Sequence, residues 1–464
     1  MKVSLQWVKT NSVIVVNAGS LIGTTVVTSS LGFVYWWVAA RQFPPEAVGL
    51  ASATISAMLL LGTFSILGLG TLLIGELPRR QGKEASLISA ALILVGGVGG
   101  CLGIVFAVVA PYLSPDFQSL RASIGNIALF AAGVSLTAIT LVLDQALLGL
   151  LRGDLQLWRN TLFAGIKLAA LFVIGLWLLH AVGLTIYATW AIGNALSLAA
   201  LAGVAILKGK WSGRTYLPHW GLLRGLGTKA VKHHALNLTL DAPALILPVL
   251  VTVLLSARTN AWFFVSWSIA GAVNTISDAF TVTLYAVSSA QATLLARKMR
   301  VTLGLSFMTS ALASCLLLLG TTQVLSLFGH SYAEEALWCL RILAVESFPF
   351  IIKSHFVAVC RIQNRVAHAS LVTIVTGFLE LGGSVLGAYL GGLTGLSLGW
   401  FAAVCIEAVF MFRIVYRAAR PLDTLADTDQ LSRNTSYNEG TQAIVMHTNE
   451  PGLGQRNMLL RKER

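Results

Sequence analysis

The chain has 464 residues, of which 56% are hydrophobic and only 11% are charged, whereas about 25% of residues are charged in a typical soluble domain. This composition excludes a soluble globular protein and is typical of a membrane protein. A formal net charge of +13 would suggest a nucleic-acid partner in a soluble protein. In a membrane protein, such an excess arises when basic residues are concentrated in the segments between spans on one side of the membrane. The basic residues of this chain have that distribution, so no nucleic-acid partner is predicted.

Apolar stretches recur along most of the chain. A helix needs about 20 mostly apolar residues to cross roughly 30 Å of hydrocarbon, and the chain offers about twelve such stretches. In chain order, the predicted spans are 12–40, 47–75, 87–113, 124–150, 161–180, 184–207, 235–256, 260–291, 301–328, 334–360, 369–391 and 394–416. An all-α polytopic membrane protein is therefore expected.

Basic residues are concentrated in alternate connections between these spans. One set of connections carries Lys2, Lys9, Arg79, Arg80, Lys83, Arg152, Arg159, the basic stretch 208–232, Arg297, Lys298, Arg300, Arg361, Arg365, Arg413, Arg417 and Arg420. The other set carries only Arg41, Arg121 and Arg258. By the positive-inside rule the first set faces the cytoplasm. Both termini are therefore predicted to be cytoplasmic, which requires an even number of spans.

The longest internal connection divides the predicted spans into two groups of six. We predict an N-terminal six-helix bundle over 1–207, a basic cytoplasmic linker over 208–234 and a C-terminal six-helix bundle over 235–416. After this the composition becomes polar. Residues 417–464 are predicted to form a disordered cytoplasmic tail.

The two halves show a short internal match. The fourth span carries Asp144 eight residues before Arg152, and the tenth span carries Lys353 eight residues before Arg361. With six spans in each half, both halves have the same orientation in the membrane. The match indicates a parallel repeat about an axis near the membrane normal.

Charged side chains inside the predicted spans are the candidate functional residues. A charge at the bilayer centre costs about 2.5 to 3.5 kcal/mol on insertion scales, so it usually faces a cavity or a partner. The residues concerned are Asp144, Lys167, Asp241, Asp278, Arg341, Glu346, Lys353, Glu380 and Glu407. Glu346 and Lys353 are seven residues apart, so they are expected to share one helix face at about 10 Å from each other.

Two interpretations of these charges stay open. Asp144, Asp241 and Lys353 lie at similar predicted depth and could share one cavity. In the first interpretation, Asp144 and Lys353 form a structural ion pair that joins the halves. In the second, Lys353 and Arg341 bind a phosphate-bearing substrate while carboxylates carry protons or balance charge. The carboxylates concerned are Asp144, Asp241, Asp278 and Glu346.

The first span is unusually polar near its start, where Asn17 lies. Such residues either line a cavity, in which case Asn17 would contact substrate, or join helices by hydrogen bonds.

Motifs of other function classes are missing from the sequence. It has no GxxxxGK[ST] phosphate-binding loop, no HExxH and no serine nucleophile elbow. Its five cysteines are scattered singly, and no cofactor or metal site is predicted. The predicted outer connections are short, which argues against a polymerase or ligase of lipid-linked glycans. A major-facilitator transporter is not predicted either, because the connection at 75–83 lacks the aspartate and the spacing of that family's motif.

Several short segments carry a family resemblance. They are FVYWWVAARQFP (33–44), VGLASA (48–53), LGLGT (67–71), LPVLV (247–251), LFGHSYA (327–333) and LRIL (340–343). In these segments the chain resembles the oligosaccharide flippases of bacterial polysaccharide biosynthesis. Those flippases belong to the multidrug/oligosaccharidyl-lipid/polysaccharide exporter superfamily, together with multidrug exporters of the toxic-compound extrusion type. The resemblance extends over nearly the whole membrane region.

The resemblance implies a V-shaped transporter of two bundles in the bacterial plasma (inner) membrane. It would move undecaprenyl-pyrophosphate-linked repeat units of O-antigen or exopolysaccharide to the outer leaflet by alternating access. Lys353 and Arg341 would then contact pyrophosphate or acidic sugars, and Asp241 and Asp278 would couple transport to a proton or sodium gradient. Membrane lipids, a glycan polymerase and glycosyltransferases are the further partners expected.

Two alternatives to a flippase remain. One is a cation-coupled multidrug exporter of the same superfamily, which is expected to have a more anionic or apolar pocket. The other is a membrane scaffold that recruits glycan assembly enzymes through its tail.

Overall fold

The computed structural model describes residues 12–80, 82–177, 183–207, 217–218, 228–288 and 295–420, and in these ranges the chain consists of helices and turns. The long helices are α1 Ser12–Gln42, α2 Pro45–Ser65, α3 Glu84–Leu113, α4 Ile124–Gly149, α5 Gly153–Trp177, α6 Gly183–Leu207, α7 Thr228–Leu254, α8 Ala257–Ser288, α9 Leu295–Leu319, α10 Leu337–Ile362 and α11 Val366–Ala419. Short helices cover Leu69–Glu76, Gln118–Arg121, Thr321–Ser326 and His330–Glu335. The tail was predicted over 417–464, but α11 continues to Ala419, and the residues beyond 420 lie outside the described ranges.

Helix α11 is twice the length of the others because it is a hairpin of two spans. Gly391 and Gly392 have non-helical backbone angles, and Gly392 has a φ of 58°, in the left-handed region that favours glycine. The two arms pack backbone to backbone, since a Cβ placed on Gly387 would overlap the carbonyl oxygen of Gly395. With its two arms counted separately, the described part of the chain has twelve long helices, in agreement with the predicted number.

Hydropathy supports the assignment of these helices to a membrane. Nine described helices, namely α2–α7, α9, α10 and α11, are long and apolar enough to cross a bilayer by length and composition. Helices α1 and α8 are not among these nine, but with 31 and 32 residues they are long enough to cross as well. The molecule is a multi-span membrane protein whose helices form two bundles, α1–α6 and α7–α11.

Three predicted span ends differ from the structure by eight residues or more. The second span was expected to run to residue 75, but α2 ends at Ser65 because Leu67 and Gly68 adopt positive φ values of 52° and 78°. The ninth was expected to run to residue 328, but α9 ends at Leu319, before Gly320. The fifth starts at Gly153, eight residues earlier than the predicted start, because its polar first turns are part of the helix.

The two bundles share one apolar core at the end where α2 and α8 begin. We call this the outer end, because it is the end predicted to face away from the cytoplasm. Ala51 of α2 is buried in one cluster with Ala261 and Val265 of α8 and with Phe328 of the connection after α9.

At the opposite, inner end each bundle has an apolar core of its own. One core lies around Leu69 and Leu87 in the N-terminal bundle. The other lies around Phe356 and Met411 in the C-terminal bundle. The bundles are therefore held together mainly at the outer end.

Candidate functional site

A cavity of about 430 Å³ lies inside the C-terminal bundle, between α7, α8, α10 and α11. Its ionisable lining residues are Asp241, Asp278, Glu346, Glu380, Lys353 and Arg361. Its aromatic lining residues are Trp267, Tyr285, Phe350 and Trp400. Carboxylates thus outnumber cations around this space, which favours a positively charged occupant.

Lys353 and Glu380 of this lining belong to a triad of buried charges, whose third member, Glu407, does not line the cavity. The ammonium of Lys353 on α10 pairs with Glu380 on the first arm of α11, and it lies 3.1 Å from Oε2 of Glu407 on the second arm. The side chains of Lys353, Glu380 and Glu407 are 10%, 1% and 0% exposed. Two carboxylates therefore share one ammonium in a low-dielectric interior, and with both ionised the triad carries one excess negative charge.

Glu346 lies next to this triad on the same face of α10. It is buried, and Nδ2 of Asn274 on α8 donates a hydrogen bond to its Oε2 at 3.1 Å. Glu346 and Lys353 both line the cavity. Their predicted placement on one helix face is confirmed.

Asp241 of α7 and Asp278 of α8 line the same cavity nearer its inner end. Arg361, the last basic residue of α10, lies at this end and donates from Nη2 to Oδ1 of Asn237 at 2.9 Å. The two aspartates therefore face a space that continues from the triad toward the inner end.

Asp144 belongs to a separate cluster in the N-terminal bundle. Its two oxygens accept hydrogen bonds from Nε and Nη2 of Arg159 at 3.0 and 2.7 Å, and Asn160 donates to it at 3.0 Å. The interpretation that Asp144 forms an ion pair with Lys353 is wrong, because each charge has partners within its own bundle. Asp144 is also absent from the lining of the C-terminal cavity, so it does not share that cavity with Asp241 and Lys353.

The Asp144 cluster leads to a stability prediction. Replacing Asp144 with Asn should lower the free energy of unfolding by about 3 kcal/mol, because Arg159, whose side chain is 3% exposed, loses its counter-charge. Thermal unfolding in detergent measures this loss. The double variant Asp144→Asn/Arg159→Met should recover much of it. Unchanged unfolding of the single variant would contradict a structural role for the pair.

The remaining predicted substrate contacts lie elsewhere. Arg341 is half-buried on α10, with its guanidinium carbon 5.1 Å from the ring centroid of Trp338, and it is not among the residues lining the cavity. It is twelve residues from Lys353, or roughly 18 Å along a helix. Asn17 lies on α1, but its side chain is outside the part of the chain that the structure describes.

Solved structures share this fold. An inward-facing multidrug resistance MATE family transporter of the MOP superfamily is 16% identical, with 86% of this chain and 98% of that chain covered and a TM-score of 0.66. An outward-facing structure with the same family description is also 16% identical, with coverages of 88% and 96% and a TM-score of 0.57.

A MOP superfamily transporter from Pyrococcus furiosus Vc1 is 15% identical, with coverages of 88% and 95% and a TM-score of 0.57. That protein is described as having a binding pocket of reversed polarity, which suggests a different function. No protein-family model matches the chain, and no curated protein sequence matches it. The chain therefore shares the fold of MATE transporters of the MOP superfamily.

Proposed function

We propose that this protein is a cation-coupled transporter in which the carboxylates of the C-terminal cavity bind the coupling cation. The observation that carries the proposal is the triad, where Glu380 and Glu407 share the single ammonium of Lys353. A proton or a sodium ion would neutralise the excess negative charge, which is costly inside a membrane. Asp241 and Asp278 would pass the cation between the triad and the inner end.

We further propose that the cargo is an undecaprenyl-pyrophosphate-linked oligosaccharide. This choice is supported by the sequence resemblance to oligosaccharide flippases and by a fold that belongs to the same superfamily. The protein would act in the bacterial inner membrane with both termini in the cytoplasm. Glycosyltransferases would then supply the cargo, and a glycan polymerase would use it after transport.

A multidrug exporter of organic cations is the second candidate. One observation favours it, namely that the cavity is lined by more carboxylates than cations and by several aromatic side chains. In addition, Lys353 is paired with carboxylates, and Arg341 is outside the cavity. The pocket is therefore closer to the anionic type expected of such an exporter than the sequence alone indicated.

Transport in proteoliposomes distinguishes these functions. The wild-type chain should translocate a fluorescent undecaprenyl-pyrophosphate oligosaccharide, and a proton or sodium gradient should increase the rate. In Glu407→Gln the rate with a gradient should fall to the rate without one, because the triad no longer carries an excess negative charge. The substitution Cys101→Ser is the matched control, because Cys101 is exposed. This variant should keep the gradient response.

The same vesicles test the alternatives. Efflux of ethidium with no movement of the lipid-linked sugar would identify an exporter. Transport of either cargo at a rate that neither a proton nor a sodium gradient changes would contradict cation coupling. Transport of neither cargo, with the purified chain folded, would favour a scaffold.

A further inference from the structure

The connection between α3 and α4 reaches from the N-terminal bundle onto the first turn of α8. In this connection, Oδ2 of Asp116 accepts a hydrogen bond from the backbone N–H of Ala257 at 2.8 Å. Ala257 is the first residue of α8 and belongs to the C-terminal bundle. A side chain of one bundle therefore binds the backbone of the other bundle at the outer end.

This contact completes the N-terminal cap of α8. The first N–H groups of a helix have no partner within the helix. Ser256 serves as the helix's own cap, since its Oγ accepts from the N–H of Thr259 and its carbonyl accepts from the N–H of Asn260, both at 3.0 Å. Asp116 takes the N–H of Ala257. A carboxylate is favoured here, because the N-terminal end of a helix carries a partial positive charge.

The residues on either side of Asp116 fix its position. Ser114 has an extended backbone, and its Oγ accepts a hydrogen bond from the N–H of Asp116 at 3.3 Å. Pro115 restricts the backbone at the start of the short turn Pro115–Phe117. Phe117 is 0% exposed and lies in the apolar core that the two bundles share. The half-buried carboxylate of Asp116 is thus held against α8 by its own chain.

Two other polar contacts between the bundles at this end differ in kind. Asn260 donates to the carbonyl of Gly49 at 2.7 Å and to Oγ of Ser52 at 2.9 Å, and these bonds join neutral groups. Arg258 and Glu46 are charged, but both side chains are more than half exposed. The contact of the α3–α4 connection combines an ionised acceptor with partial burial. Hydrogen bonds to an ionised group are roughly twice as strong as those between neutral groups.

We propose that Asp116 is a latch that holds the outer end closed by capping α8 from the neighbouring bundle. When the outer end opens, the bundles move apart, so the first N–H of α8 must exchange a carboxylate for water. The latch therefore biases the protein toward the state that is closed on the outside. This role rests on the proposed function, because the outer end needs to open only in a transporter that alternates between two states.

Spin-label distances measured without cargo and without a gradient test the latch. The full chain is placed in nanodiscs with labels on cysteines introduced at Ala122 and Glu335, which are exposed near the outer end of the two bundles. Asp116→Ala should raise the ratio of open to closed molecules about fivefold, the usual size of the loss of a helix cap. Asp116→Asn should keep most of the closed population, because asparagine caps helices about as well as aspartate.

The matched control is Asp154→Ala. Asp154 is also an exposed acid in the first turn of a long helix, but it lies at the inner end of α5 and pairs with Arg152 of its own bundle. Its removal should leave the outer distance unchanged. An equal shift in Asp154→Ala and Asp116→Ala would overturn the latch, because any loss of a cap would then open the outer end.

A change on α8 tests the same hydrogen bond from the other side. Ala257→Pro removes the N–H that Asp116 accepts, and proline is well tolerated at the first position of a helix because that N–H has no partner within the helix. It should open the outer end as Asp116→Ala does, and the double variant should open it no further. Effects that add in the double variant would overturn the latch, since the two groups would then act independently.

The remaining outcomes separate the latch from a purely structural contact and from the proposed function. A chain with Asp116→Ala that unfolds at lower temperature in detergent, but whose label distances match those of the parent chain, would overturn the latch. Cation coupling is measured separately through Glu407→Gln. A failure of coupling would contradict the proposed function while the label distances still showed the latch, and the reverse result would overturn the latch alone.

Discussion

Replacing Lys353 with Met is expected to lower the free energy of unfolding by about 3–5 kcal/mol and to abolish gradient-driven transport. The substitution keeps most of the side-chain volume but leaves Glu380 and Glu407 together without a cation, with side chains that are 1% and 0% exposed. Removal of one partner from a buried ion pair has a cost of this size because the remaining charge stays desolvated. Thermal unfolding in detergent gives the first quantity, and proteoliposome transport gives the second.

A triple variant separates the structural role of the triad from its role in coupling. Lys353→Met/Glu380→Gln/Glu407→Gln replaces all three charges with neutral side chains of similar size, so it should regain most of the lost stability. It should still fail to respond to a proton or sodium gradient, because no titratable or cation-binding group of the triad remains. A triple variant that couples normally would show that the cation binds elsewhere in the protein.

The helical architecture could be predicted from the sequence because the membrane requires it. Runs of about 20 apolar residues have few other folded uses, and the alternation of basic connections supports the count of spans. The predicted span ends are wrong where polar residues continue a helix or where the backbone bends. Gln156 and Arg159 are buried within α5 although their polarity suggested a connection, and the break after α2 depends on the backbone angles of Leu67 and Gly68.

The candidate site could be predicted only where one helix determines it. Glu346 and Lys353 are related by the helical period of α10, so their common face followed from their spacing. The pairing of Lys353 with Glu380 and Glu407 depends on how α10 packs against both arms of α11, and no local pattern encodes this. The ion pair of Asp144 could not be predicted for the same reason, because its partner Arg159 was assigned to a connection between spans.

Substituting Gly49 with Leu is expected to prevent closure of the outer end and to abolish transport. Gly49 lies where α2 meets the start of α8, and a Cβ there would overlap the carbonyl oxygen of Ala257. Asn260 also donates to the carbonyl of Gly49 at 2.7 Å, and the amide of Ala257 donates to Asp116 at 2.8 Å. Because the contact is between backbones, a side chain can be accommodated only if the bundles separate there.

Distances between spin labels measure this separation. Labels on cysteines at Arg121 and His330, which are exposed near the outer end of the two bundles, should move apart in Gly49→Leu relative to the parent chain. Gly97→Leu on α3 is the matched control, since a Cβ at Gly97 meets no atom within 4 Å and both distance and transport should be unchanged.

The exposed ion pair at the same end provides a second comparison for Gly49→Leu. Arg258 lies 2.7 Å from Glu46, but their side chains are 57% and 51% exposed, so the pair contributes at most about 1 kcal/mol. Truncating both residues to Ala should therefore leave the label distance and the transport rate nearly unchanged. If the double truncation opened the outer end as far as Gly49→Leu does, closure would depend on surface charge rather than on the close backbone contact at Gly49.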